Sequence, residues 1–285
     1  MKTRNLFKVA LSTLVVGSLF LTSCRKEKDE DNDTSDASDN ALAEQTFNDM
    51  HNMANEAASS NTMSSYKNDP TNFSLLSGCV TITRDTAVSS NTDTITIDFG
   101  SSNCLCLDGR NRRGQIIITY TGKYRDSATV ITITPNSYFV NDNQVIGTKV
   151  ITNKGRNAAG NLNYDIVVNG SIILSSANGG GTITWQSNRN REWTAGSSTY
   201  TWIDDQYSIT GSASGTKANG NSFTSQITSP LIRNMAPGCK KHFVQGTIDI
   251  TPANKLTRTI DFGSGACDND ATVTINNNTY NIKLK

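Results

Sequence analysis

Asp98-Phe99-Gly100 and Asp261-Phe262-Gly263 spell the magnesium-holding tripeptide of phosphoryl-transfer enzymes. No glycine-rich phosphate loop, His-Arg-Asp or strand-lysine motif accompanies them. Their expected role is therefore structural: Phe packs inward, Gly turns the chain, and Asp accepts from the amides that follow. The two histidines, His51 and His242, stand in no ligand or triad pattern, no GxSxG elbow occurs, and both read as surface residues. Glycoside hydrolysis needs two carboxylates about 5 to 9.5 Å apart. Asp165, Asp204, Asp205, Asp249 and Glu192 are available, but strand ends and turns account for them equally well. Asp108-Gly109 and Asp268-Asn269-Asp270 are oxygen-rich turns, yet neither continues into a calcium loop closed by Glu. Cys104-Leu105-Cys106 lacks the second ligand pair that zinc requires. No catalytic residue, metal or cofactor is assigned.

Trp185, Trp193 and Trp202 lie close in sequence, with Tyr200 and Tyr207 nearby and Arg189 and Arg191 in an apparent hairpin turn between the first two. Exposed on one face, these rings would form a platform for stacking sugars, with the arginines donating hydrogen bonds. Burial as core is the competing reading and the favoured one.

The chain opens with Lys2, Arg4 and Lys8 and an apolar run from Val9 to Leu21, a signal peptide over residues 1–23. The run is shorter than the roughly 20 helical residues that span a hydrocarbon core. Leu21-Thr22-Ser23-Cys24 looks like a bacterial lipobox, which would leave Cys24 acylated and the protein anchored to a membrane. Residues 24–40 are charged and polar, too poor in apolar surface to offset their ordering entropy, and read as a disordered tether. The Lys-and-acid cluster beside Cys24 resembles the surface-export signal of Bacteroidetes lipoproteins, which implies an outer-membrane protein facing outward. Formal net charge is +1 with the acids concentrated in the tether, so no basic face exists for nucleic acid.

Asn40 to Ala58 carries the one helical pattern, with Asn40 as cap and Leu42, Phe47, Met50, Met53, Ala54 and Ala57 along one side, within a helical segment at 41–66. Residues 75–285 read as a β domain. Runs of Thr, Ile, Val and aromatics alternate with polar residues from Val80 to Leu284, broken by Gly, Asn, Asp and Pro, as in an antiparallel meander. Ile97-Asp98-Phe99-Gly100-Ser101-Ser102-Asn103-Cys104 recurs as Ile260-Asp261-Phe262-Gly263-Ser264-Gly265-Ala266-Cys267, each preceded by a strand pair and another cysteine. Two terminal modules follow, near 79–120 and 239–284. The repeat pairs Cys79 with Cys104 and Cys239 with Cys267, each bridge stabilising by about 3 to 4 kcal/mol in the chain-entropy model. Cys106 is left unpaired, or competes with Cys104 for Cys79.

Cys79, the two Asp-Phe-Gly-Ser-x-x-Cys copies, Asp108-Gly109-Arg110-x-Arg112-x-Gly114 and Cys267-Asp268-Asn269-Asp270 resemble a family of uncharacterised Bacteroidetes-type surface lipoproteins. The resemblance implies one fold and a surface address, and no activity. The expected architecture is all-β, an antiparallel sandwich or a large strongly twisted sheet with one short N-terminal helix. The expected function is non-enzymatic binding or scaffolding on a glycan or an envelope protein. An Asp-dependent hydrolase and a lipid carrier on a concave apolar face are the alternatives.

Overall fold

The computed structural model describes residues 35–59, 76, 78–86, 92–199, 201, 203–239 and 242–284. Cys24, the leader, the first part of the tether, residues 60–66 of the expected helical segment, and Trp202 lie outside them. One helix, α1 (Ser35–Ser59), precedes β1 (Thr81–Thr86), β2 (Asp93–Asp98), β3 (Cys104–Leu105), β4 (Asn111–Tyr120) and β5 (Val130–Val140). There follow β6 (Asn143–Arg156), β7 (Leu162–Ile173), β8 (Thr182–Ala195), β9 (Gln206–Thr216) and β10 (Ser222–Asn234). The chain closes with β11 (Gln245–Pro252), β12 (Arg258–Ser264), β13 (Asp270–Ile275) and β14 (Asn278–Lys283). Each strand pairs antiparallel with its neighbour in sequence, apart from the two-residue β3, which pairs β4 off the main path. Of the two expected architectures, the single large sheet forms and the sandwich does not. The sheet is open, with β1 and β14 at its edges.

Side chains of a strand alternate between faces. Along β7, Leu162, Tyr164, Ile166, Val168 and Ile172 are buried, while Val167, Asn169 and Ile173 are exposed. The buried face curls around α1, which touches β2, β5, β7, β8 and β11. Ala43, Phe47, Met50, Met53 and Ala57 are 0% exposed, and of the helix side chains described only Gln45 and Asn52 are exposed. Right-handed twist accumulating over many strands makes a trough, and a helix buried on nearly every side fills it. Gly170 marks how close the two come: a Cβ there would sit 2.1 Å from Phe47 Cζ. The Phe47 ring stacks on Trp185 at 5.8 Å.

The helix starts earlier than its polar sequence suggests, taking in residues 35–40 that read as tether. Asn40 is inside the helix, not its cap. Its Oδ1 accepts the Trp185 indole N–H at 3.2 Å, and Asp39 Oδ2 accepts the Ala218 amide at 3.1 Å. Partners on the sheet override weak local propensity here.

The repeated motif builds the same turn twice. Asp98 Oδ1 accepts the Gly100 amide at 2.8 Å and Asp261 Oδ1 accepts the Gly263 amide at 2.8 Å. Gly100 has φ 81° and Gly263 φ 86°, the left-handed region that a side chain would strain. Phe99 is buried against Tyr138, and Phe262 packs edge-on to Phe243 at 5.3 Å. Cys79–Cys104 and Cys239–Cys267 are bridged as the repeat pairs them, and Cys106 is a buried free thiol.

Candidate functional site

The aromatic residues singled out in the sequence lie in the trough. In β8, Ile183, Trp185, Ser187, Arg189, Arg191 and Trp193 point inward, and the strand pairs β7 without a break from Ile173–Thr182 to Leu162–Trp193. Arg189 and Arg191 therefore occupy mid-strand positions, not a hairpin turn. The polar run from Gln186 to Glu192 imitates a turn, but Arg189 and Arg191 of its inward half each reach a partner inside the fold. Arg189 faces Glu44 of α1 at 3.6 Å and donates to the Gly211 carbonyl at 3.0 Å. Arg191 donates to the Tyr124 hydroxyl and lies 5.3 Å from the Tyr164 ring and 5.1 Å from that of Tyr207. Trp185 is 3% exposed and Trp193 0%, so neither belongs to a surface platform. Trp193 and Arg191 meet through Tyr207, whereas Trp185 and Arg189 sit against α1.

Buried polar contacts lock this seam. Asp205, 0% exposed, accepts Trp193 Nε1 at 3.2 Å and the Tyr207 hydroxyl at 3.1 Å. His51 is buried, contrary to the surface position expected of it, and its ring stacks on Tyr124 at 6.4 Å. Burial, then the charges of Arg191, Lys149 and Arg233, hold its pKa well below the ordinary value and keep it neutral. His242 is half-buried.

The carboxylates weighed for hydrolysis each answer to a neighbouring turn or strand. Glu192 accepts from Asn157 at 2.8 Å and Asn161 at 2.7 Å, bonds that lower its pKa. Asp165 accepts from Asn190 at 3.0 Å, Asp204 from Thr199 at 2.9 Å and Asp249 from Thr259 at 2.6 Å. Asp108 is gripped by Arg112 through bonds of 2.7 and 2.6 Å. Burial, the largest single influence, raises the Asp108 carboxyl, but the Arg112 hydrogen bonds and charge, with the Arg110 amide and charge, together leave the pKa below the usual range. Among the described residues no three His, Cys, Asp or Glu side chains gather to hold a metal ion.

A different surface has the shape of a site. On the outer face of the sheet, a groove of about 600 Å³ crosses β7 to β10, and a second of about 620 Å³ continues to the β11–β12 turn. Gln186, Ser214 and Thr224 line both. The first is walled by Asn169, Gln186, Asn188, Ser212, Ser214 and Gln226 among others, with no charged residue. Among the described residues, the side chains of Asn169, Gln186, Ser214 and Thr224 spend no hydrogen bond on the protein. Beneath the groove, Val168, Ser187, Ala213 and Ser225 stand opposite one another on the inner face. Sequence reading missed this site, because Asn, Gln, Ser and Thr at alternate strand positions look like ordinary solvated residues until pairing aligns them.

No protein-family model, curated protein or solved structure matches the chain.

Proposed function

We propose that this protein is a lipid-anchored, extracytoplasmic binding protein without enzymatic activity, which takes a neutral glycan of the cell envelope on the outer groove of its sheet. The observation that carries this reading is the groove's chemistry: amide and hydroxyl side chains beside the exposed Val167, no charged residue, and hydrogen-bonding capacity left over. Sugar hydroxyls both donate and accept, and Asn and Gln answer both ways. An anionic ligand would call for cations, and nucleic acid for many. A lipid would have to displace α1, which fills the apolar concave face. Each neutral hydrogen bond contributes a net of about 1 kcal/mol, so five of them give a complex near the millimolar range.

A glycan array probed with the full chain tests the reading. The double variant Gln186→Ala/Asn188→Ala changes two outward side chains and leaves the core intact, and its binding is expected to fall by about tenfold or more. Equal binding by wild type and variant would remove the groove from the function, and no binding by wild type would remove glycans.

The anchor has its own test. Cells fed a labelled fatty acid should incorporate label into the chain, and Cys24→Ala should abolish incorporation and release the protein from the membrane fraction. A Cys24→Ala protein that stays labelled and membrane-bound would sink the lipidation.

A further inference from the structure

The two grooves share a line of side chains that pairing fixes in register. Asn169 stands opposite Gln186, Gln186 opposite Ser214, Ser214 opposite Thr224 and Thr224 opposite Thr251. The row runs across β7 to β11, perpendicular to the strands, and passes through both grooves. Neighbouring strands lie about 4.8 Å apart, so five positions span about 19 Å with one polar side chain per step.

We infer that the occupant is a linear, extended, neutral oligosaccharide lying along this row, one sugar to each strand, with five sugars filling it. The inference rests on the glycan reading above and adds the ligand's shape, direction and length. One pyranose in an extended β-linked chain advances by about one strand spacing, so hydroxyls recur in step with the ladder. An extended peptide would need backbone pairing, which a sheet offers at its edges and not on its face. The row itself contains no cation, and Lys255, the one cation that lines the second groove, stands at its far end beside Thr251, a single charge against a row of neutral side chains. A compact monosaccharide would use one or two steps and leave the other polar positions of the row unused.

The test is calorimetric titration of the full chain with neutral linear oligosaccharides of one to eight residues from the cello-, manno- and chito-series. Affinity should tighten about fivefold per added residue up to five, then stay level. Asn169→Ala removes one end of the row and should move the plateau from five residues to four. A monosaccharide bound as tightly as a pentasaccharide overturns the inference and leaves the glycan reading standing. A plateau that Asn169→Ala does not move, or tighter binding of acidic chains of the same length, also overturns it. Absence of binding at every length overturns it too, and the array then decides separately whether any glycan is bound.

Discussion

Trp193→Ala lowers the unfolding free energy by about 3 to 5 kcal/mol, the cost of deleting a large ring from a packed interior. Trp193 is 0% exposed, and its ring lies 5.7 Å from Tyr207 with the Arg125 guanidinium 5.0 Å above it. The truncation also strips the fully buried Asp205 of its indole donor, leaving one carboxylate oxygen with less compensation. Urea titration of the full chain measures the loss as a lower midpoint at unchanged slope. A loss under about 1 kcal/mol would mean that the ring is not packed as described. Trp193→Phe separates the two contributions, since it keeps most of the volume and drops the donor. Any ligand binding that disappears on truncating this tryptophan reports a damaged fold, not a lost contact. The outward groove residues are the informative positions for binding.

Lys149 governs how stability responds to alkali. The side chain is 1% exposed and its ammonium donates to the Phe47 carbonyl at 3.2 Å and Asn48 Oδ1 at 3.0 Å, both on α1. Burial first, then the charge of Arg191, bring its pKa down to about 7, with Arg233 adding to the effect and Glu44 and Asp49 opposing it. The unfolded chain, titrating near 10.5, binds more protons than the folded one between these two values. Stability therefore rises as pH climbs from about 7, by up to about 1.4 kcal/mol per pH unit, while below 7 the cost of burying the charge is fully present and does not change with pH. His51 adds its own rise only below its ordinary value of 6.5. The buried tyrosines, whose hydroxyls burial raises, matter only near pH 10 and above. Lys149→Met should flatten the rise between pH 7 and 9, measured by denaturant midpoints at a series of pH values. An identical slope in the variant would show that Lys149 is not the group responsible.

Much of the fold is legible in the sequence because it is local. Alternation along β2, β7 and β13 marks both the strand and its inward face, and turn residues between runs leave little choice but a meander. The disulfides follow from the repeat, since Cys104 and Cys267 end copies of one motif. Legibility stops where a residue's meaning depends on a distant partner. The helical state of residues 35–40 depends on Trp185 and Ala218, far along the chain. The inward half of β8 reads as a turn until Glu44 and Gly211 are seen to receive Arg189 and the Tyr124 hydroxyl to receive Arg191. The groove is hidden for the same reason: nothing near Gln186 announces that Ser214 and Thr224 stand beside it.

The meander also has a kinetic side. Every strand of the main path finds its partner in the next segment of chain, so hairpins can be added one after another without closing long loops. The helix alone breaks this economy. It comes before all the strands yet contacts β11, so its enclosure must wait until most of the sheet has been laid down. During that interval Phe47, Met50 and Met53 have no walls to pack against, which makes the nascent helix the part of the chain most in need of shielding from premature association.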